Sequence, residues 1–235
     1  MKHTLNGILA TAFLMSGSLT AAEATLPPTA EQQKALTPKA VFDELMAGNA
    51  RFVKGEQSDP NILKRIEATA TGQNPKAYIL SCVDSRVPVE QVFDQGIGDL
   101  FVGRVAGNIE SDEQLGSLEF ATKVAGAKLV MVLGHEACGA VMGACDHVKM
   151  GNLTTLLAEI EPAVSAVEGF EDSEKNSKNS KFVEAVVEKN VRMTVADLRK
   201  RSEVLAELEK DGDIMIVGGV YNLHDGKVTI LDIPK

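Results

Sequence analysis

The stretch Tyr78–Arg86 (YILSCVDSR) decides the fold of this chain. It begins with an apolar run and then places a thiol, a carboxylate and a guanidinium close together. A second stretch, Leu129–Gly139 (LVMVLGHEACG), has the same plan about fifty residues further on. Short apolar runs bounded by glycine and polar residues are typical of the buried strands of a parallel sheet. The two stretches therefore predict an α/β protein whose chemistry-bearing residues directly follow its strands.

Three side chains in these stretches form a set of metal ligands. The carboxyl ends of such strands can converge on one crevice, where open α/β sheets place their ligands. Cys82, His135 and Cys138 would then supply two thiolates and one imidazole. Catalytic zinc sites use this ligand set and leave the fourth position open. The sequence thus predicts one Zn²⁺ ion per chain.

Each of these residues has a simpler explanation when it stands alone. A buried cysteine usually serves as a small apolar side chain. Asp84 beside Arg86 would suit a structural ion pair. The joint occurrence of both motifs, each directly after a strand-like run, favours a functional site.

The two motifs also resemble a known family. Cys82–Arg86 (CVDSR) and Gly134–Gly139 (GHEACG) together resemble the paired signature of the β-class carbonic anhydrases. The resemblance extends to Gly48–Phe52 (GNARF) and Gly218–Tyr221 (GGVY), and so covers residues 38–235. It implies a single catalytic domain with a mostly parallel β-sheet flanked by helices. It also implies a zinc-dependent lyase, a carbonate dehydratase that interconverts carbon dioxide and bicarbonate.

The resemblance gives Asp84 and Arg86 catalytic roles. Zinc activates water, a use for which carbonic anhydrases are the standard example. Asp84 would accept the hydrogen bond of the attacking hydroxide, and Arg86 would hold Asp84 off the metal. The short spacing also allows a closed state, known in this family, in which Asp84 takes the fourth zinc position. Members that control this state through a bicarbonate pocket carry Trp and Gly where this chain has Ile79 and Ser81, so that pocket is not expected.

Two further residues are predicted to bind substrate. Gln73, nine positions before Cys82, matches a substrate-binding glutamine of the family at this offset. Gly139 opens the helix after Cys138, whose first amide groups would face the crevice and favour an anion.

Composition and charge limit the possible partners. At 235 residues the chain makes one ordinary domain, and its formal charge of -9 argues against non-specific binding to nucleic acid or to an acidic membrane surface. A small anion such as bicarbonate would need a local positive site, which Arg86 and Arg104 can supply.

Residues 1–22 are predicted to be a signal peptide. Lys2 is followed by the apolar stretch Gly7–Met15, and Ala21–Ala24 offers small residues for cleavage near 22–24. The apolar stretch is too short for a membrane span, so the mature chain is not expected to be inserted. We expect a periplasmic or secreted protein, with residues 23–37 as an N-terminal arm that is loose over Leu26–Gln33. An N-terminal helix retained in the mature fold is the alternative.

Two other functions remain open at this point. A related hydrolase could use the same site on carbon disulfide or carbonyl sulfide. A non-catalytic periplasmic zinc-binding or redox protein could cycle Cys82 and Cys138 through a disulfide. The redox hypothesis lacks a Cys-x-x-Cys motif and leaves Asp84 and Arg86 without a role.

The remaining cysteine and a nearby histidine are expected to take no part. Cys145 is predicted to be a buried thiol and His147 a surface residue. The family builds dimers with active sites at the subunit interface, which implies a homodimer or homotetramer here. The helix near Phe42 and the strand at Val228 are candidate contact surfaces.

Overall fold

A computed structural model describes residues 26–234 of the chain. The predicted signal peptide and its cleavage sites lie outside these residues. Among the helices of residues 26–234, none combines the length and apolar character that a membrane crossing requires.

In the described part of the chain, three α-helices precede the first strand, helices and strands then alternate up to the third strand, and five α-helices precede the fourth. The strands are β1 (Ala77–Ser81), β2 (Leu100–Arg104), β3 (Leu129–His135), β4 (Met215–Tyr221) and β5 (Val228–Leu231). The α-helices are α1 (Ala30–Ala35), α2 (Pro38–Lys54), α3 (Ile62–Thr69), α4 (Val89–Val92), α5 (Asp112–Glu119), α6 (Gly139–Cys145), α7 (Leu153–Ala158), α8 (Glu161–Ser165), α9 (Ser180–Arg201) and α10 (Glu203–Asp211). Short 3₁₀ turns lie at Ala106–Asn108 and Asp172–Glu174, and a π-helical turn at Phe120–Val124 continues α5.

The strands form one five-stranded sheet in the order β2-β1-β3-β4-β5. The first four run parallel and β5 is antiparallel to β4. From β1 the chain goes to β2 on one side and then crosses to β3 on the other. The winding therefore reverses at β1 and β3, and ligands of open α/β sheets bind at the carboxyl ends of strands at such a point. The predicted single domain with a mostly parallel sheet is confirmed.

The apolar runs of β1 and β3 are buried on both faces of the sheet. Ile79 and Met131 pack with Leu45 of α2 on one face. Leu80 lies on the opposite face, in a cluster with Val191 of α9. Because successive side chains of a strand point to opposite faces, a strand covered by helices on both sides is apolar throughout. This explains why neither run alternates between apolar and polar residues.

Gly134 allows α9 to lie close to the end of β3. A Cβ atom at this position would come within 2.6 Å of Cγ2 of Val191. The glycine therefore permits the close packing that fixes the end of β3, where His135 follows.

The expectation that Leu26–Gln33 form a loose arm is wrong, because the helix α1 begins at Ala30 within this stretch. Thr29 caps α1, with its hydroxyl accepting from the amide of Gln32 and its amide donating to the side chain of Gln32. The buried Gln33 donates to the carbonyls of Pro75 (2.7 Å) and Ala125 (2.8 Å). These bonds tie α1 to the segments that enter β1 and β3. The sequence did not predict this packing, because it depends on one buried glutamine in an otherwise polar segment.

Candidate metal centre

The ends of β1 and β3 bring the three predicted ligands together. Cys82 follows β1 directly, His135 is the last residue of β3, and Cys138 is the N-cap of α6. The parallel register pairs Ser81 with Leu133, so the two strand ends lie side by side. The ligand atoms of the three residues all lie within 4.8 Å of one another.

His135 is oriented by the chain next to it. Its ring is fully buried, and Nδ1 lies 2.8 Å from the carbonyl oxygen of Glu136. A carbonyl only accepts hydrogen bonds, so the proton sits on Nδ1 and Nε2 carries the free lone pair. Within residues 26–234, Nε2 finds no hydrogen-bond partner. A buried polar atom without a partner is costly, and a metal ion satisfies this one.

The two thiols behave as a coupled pair. Both are buried, and their Sγ atoms are 3.9 Å apart. The hydrogen bond from Cys138, helped by the amide of Gly107, lowers the pKa of Cys82 against the opposing effect of burial. The same hydrogen bond, together with burial and the negative charge of Cys82, raises the pKa of Cys138 far above its usual range. The shared hydrogen bond thus favours one thiolate and opposes the second, which a bound cation would stabilise.

The donor set fits zinc. Two thiolates bound at about 2.3 Å in a tetrahedron are about 3.8 Å apart, and the observed separation of Cys82 and Cys138 is 3.9 Å. The imidazole of His135 presents the neutral nitrogen that zinc requires. Cys82, His135 and Cys138 are therefore the residues that hold the ion.

Asp84 lies beside this set and is bound on both oxygens by Arg86. The Arg86 Nε lies 2.9 Å from Oδ1, and its Nη2 lies 2.7 Å from Oδ2. These hydrogen bonds hold the pKa of the Asp84 carboxyl well below its usual range. Oδ2 of Asp84 is also 3.8 Å from Nε2 of His135, too far for a hydrogen bond. The structure thus places an ionised carboxylate next to the metal ligands, without making it one of them.

Comparison with known proteins agrees with this geometry. A family model described as carbonic anhydrase matches residues 77–228. Carbonic anhydrase 2 of Mycobacterium tuberculosis is 36% identical over 201 residues, which cover 83% of this chain and 93% of the relative.

The chain belongs to the carbonic anhydrase family.

Solved structures place its fold in the β class of carbonic anhydrases. The β-carbonic anhydrase CafA of Aspergillus fumigatus matches with a TM-score of 0.64 at 21% identity, covering 84% of this chain and 91% of that one. A β-carbonic anhydrase of Sordaria macrospora matches with a TM-score of 0.61 at 22% identity, covering 82% and 97%. At this identity the likeness establishes the fold, and the sequence matches establish the family.

Arg104 of this carbonic anhydrase has a role that the sequence did not reveal. Its Nε donates to the carbonyl of Cys82 at 2.8 Å, and its Nη2 donates to the carbonyl of Asp84 at 2.5 Å. The guanidinium therefore fixes the backbone of the Cys-x-Asp segment. From the sequence Arg104 was expected only to help supply a positive site for a small anion, because partners on another strand leave no local pattern.

Gly107 is a second contributor that the sequence did not reveal. Its amide donates to Sγ of Cys82 at 3.4 Å, which stabilises the thiolate. Its φ is 76°, a left-handed conformation that glycine adopts readily. A Cβ here would also meet Cδ1 of Ile160 at 2.5 Å. In the sequence, the only indication of this role was a glycine at position 107, shortly after Arg104.

The two predicted substrate-binding residues are placed differently. Gly139 is the exposed first residue of α6, directly after the ligand Cys138. Gln73 lies before β1, at its amino end, and lines a separate cavity. Cys82 lies beyond the other end of β1, and a five-residue strand places its ends about 13 Å apart. Gln73 therefore does not reach the crevice of its own chain.

Neither of the two residues expected to take no part belongs to the ligand set. Cys145 is 2% exposed in an apolar cluster with Val141 and Leu157. Burial raises the pKa of its thiol to about 11. His147 is exposed and pairs with Glu161 at 2.9 Å. The predicted burial of Cys145 and the predicted surface position of His147 are confirmed.

Proposed function

We propose that this protein catalyses the reversible hydration of carbon dioxide to bicarbonate and a proton. The observation that carries the proposal is the carboxylate of Asp84, held ionised by Arg86 beside the Cys82, His135 and Cys138 set. Membership of the carbonic anhydrase family supports the same reaction. When bound, zinc supplies the acidity that makes water a nucleophile near neutral pH.

Asp84 orients the attacking water. An ionised carboxylate has no proton to donate, so it acts only as an acceptor. Oδ1 accepts both Nε and the amide of Arg86, whereas Oδ2 accepts only Nη2 and keeps a second lone-pair position for the water. Accepting the hydrogen bond of the water turns its free lone pair towards the carbon of carbon dioxide. The low pKa of Asp84 keeps this acceptor available throughout the neutral range.

Arg86 decides which of two roles Asp84 takes. While both oxygens are bound to the guanidinium, the carboxylate stays an acceptor beside the ligands. The closed state, with Asp84 as the fourth zinc ligand, requires these bonds to break. Oδ2 lies 3.8 Å from Nε2 of His135, so the carboxylate would stay close to an ion held by the three ligands.

Neither alternative raised by the sequence is favoured. The carbon disulfide or carbonyl sulfide hydrolase would use the same site, but the relative reported above is a carbonic anhydrase. A redox protein has no use for the Asp84–Arg86 pair. Its two thiols also have to approach to a disulfide bond of about 2.05 Å, whereas the 3.9 Å found here suits a shared ion.

A stopped-flow assay with a pH indicator tests the proposal. Purified protein with about one zinc per chain is mixed with carbon dioxide, and proton release is followed. We expect release far above the uncatalysed rate, and loss of it after zinc is removed by a chelator. Carbon disulfide and carbonyl sulfide are tested in parallel. Turnover of either of these, with none of carbon dioxide, would overturn the proposed substrate.

We further propose that the active protein is a homodimer or homotetramer. The position of Gln73, remote from its own crevice, supports this, because a second chain is needed to bring it to a metal site. The matching structures from Sordaria macrospora are tetrameric β-carbonic anhydrases. The side chain of Val228 is buried inside its own chain, but its strand, β5, forms one edge of the sheet. Native mass spectrometry tests the proposal, and a purely monomeric active enzyme would refute it.

Export from the cytoplasm is the last part of the proposed function. The basic start, the apolar stretch and the small residues of the first 24 positions support it. Intact-mass measurement of protein from its native cell should give a chain beginning near residue 23 or 25. A mature protein that retains residues 1–20 would contradict the proposal.

A further inference from the structure

Glu136 stands between two metal ligands, and its carboxylate binds the turn between β4 and β5. Oε1 of Glu136 accepts a hydrogen bond from Nδ2 of Asn222 at 2.9 Å. Oε2 accepts one from the amide of Leu223 at 3.2 Å. Both oxygens are thus used by neighbouring residues of one turn.

The backbone of Glu136 also orients a metal ligand. Its carbonyl accepts the Nδ1 proton of His135 at 2.8 Å, which fixes the tautomer and directs Nε2 into the ligand set. Its amide donates to the carbonyl of Tyr221 at 3.1 Å. The peptide that orients His135 is therefore held by β4 on its amide side and by the turn through its own side chain.

The next residue completes the bridge to Cys138. Ala137 has a φ of 47°, an uncommon left-handed conformation for alanine. Its carbonyl accepts from Nη2 of Arg86 at 3.3 Å. The short bridge from His135 to Cys138 is thus held on one side by the carboxylate of Glu136 and on the other by the arginine that binds Asp84.

The turn that Glu136 binds is itself anchored. Oδ1 of Asn222 accepts the amides of His224 (2.8 Å) and Asp225 (3.1 Å). The buried Asn49 of α2 accepts the amide of Val228 at 2.9 Å and donates to the carbonyl of Gly226, also at 2.9 Å. Glu136 therefore connects the metal bridge to a fixed part of the fold.

We propose that Glu136 is a positioning residue of the metal site, acting through Asn222 and Leu223. Its carboxylate fixes the peptide that orients His135 and so sets the affinity of the site for zinc. The inference rests on the zinc site of the proposed function. Mutation of residues that hydrogen-bond to metal ligands and orient them typically weakens metal binding by about 10- to 100-fold.

A pair of reciprocal substitutions tests the hydrogen bond itself. Glu136→Gln leaves one acceptor where two donors, Asn222 and Leu223, point. Asn222→Asp places two carboxylates against each other, and its Oδ1 can still accept the turn amides. In the double variant the new amide donates to the new carboxylate and accepts from Leu223. Glu184→Gln is the matched control, because Glu184 lines the same small cavity as Glu136 but is exposed on α9.

The measurement is the zinc dissociation constant of each apoprotein, by competition with a chromophoric chelator, beside its thermal unfolding midpoint. We expect each single variant to bind zinc about 10- to 100-fold more weakly. The double variant should recover most of the loss, and the control should match the parent. The thermal unfolding midpoints of the apoproteins should not rank the variants in the same order as their zinc affinities.

Two results would overturn the inference. One is parental zinc affinity in both single variants, and the other is a double variant no better than the weaker single. A parent chain that binds no zinc would instead refute the proposed function, so the two failures are distinguishable.

Discussion

Arg86 binds both carboxylate oxygens of Asp84 through two separate nitrogens, at 2.9 and 2.7 Å. The amide of Arg86 adds a third hydrogen bond, to Oδ1, at 2.9 Å. This fork fixes both the charge and the direction of the carboxylate, because a bidentate pair allows one planar arrangement. The orientation of Asp84 relative to the metal ligands thus depends on one side chain two residues away.

Replacing Arg86 should separate catalysis from zinc binding. In Arg86→Ala the Asp84 carboxylate loses its fixed direction and is free to move onto the metal. Carbon dioxide hydration should fall by about 100-fold or more, the scale of losing a positioned catalytic group, while zinc content stays at the parental level. Asp84→Asn should be similarly impaired. Stopped-flow rates and metal analysis check this, with Arg201→Ala as a surface control. Near-parental turnover in Arg86→Ala would show that the pair is only structural.

Removing one thiolate should empty the metal site. In Cys138→Ser the remaining two ligands hold zinc weakly, because an alcohol oxygen does not replace a thiolate. Zinc content and carbon dioxide hydration should fall together. Cys145→Ser is the control, since Cys145 is not one of the three residues whose ligand atoms lie within 4.8 Å of one another, and it should keep both. Full zinc content in Cys138→Ser would remove that residue from the ligands.

Arg104 should not be replaceable by lysine. Its guanidinium reaches the carbonyls of Cys82 and Asp84 at once, whereas a single ammonium group cannot match that fork. In Arg104→Lys the segment that carries both residues is less well fixed, so hydration should fall by about 10-fold or more. Arg201→Lys, at a surface ion-pair site, should be unaffected. Parental rates in Arg104→Lys would show that the two carbonyl contacts are dispensable.

The buried thiol of Cys145 should lower the free energy of unfolding at alkaline pH. Burial raises the pKa of its thiol to about 11 in the folded chain, and an unfolded thiol ionises near pH 8.5. Between these values the folded state binds more protons than the unfolded state. The free energy of unfolding should therefore decrease as pH rises through this window. Cys145→Ala should show a shallower decrease in urea unfolding of the zinc-loaded protein. Parallel pH profiles for the two proteins would contradict the assignment.

The sequence determined much of this protein by itself. The apolar runs before Cys82 and His135 predicted two buried parallel strands, because only strands covered on both faces are apolar throughout. Residues that directly follow such strands share one edge of the sheet, so the ligand set followed from position and residue type alone. The pairing of Asp84 with Arg86 was also predictable from the sequence, because the two residues are only two positions apart.

The tertiary structure decided what depends on distant contacts. Arg104 and Gly107 contact the Cys82 segment from β2 and the turn after it, and Glu136 meets the turn at Asn222, 86 positions along the chain. Gln33, which the sequence analysis placed in a loose arm, is buried and donates hydrogen bonds to carbonyls 42 and 92 residues away. Such bonds leave no periodic or local signal, because each joins one side chain to a segment whose position only the packed sheet defines. The sequence therefore specifies the ligands, whereas the packing of the sheet fixes the groups that orient them.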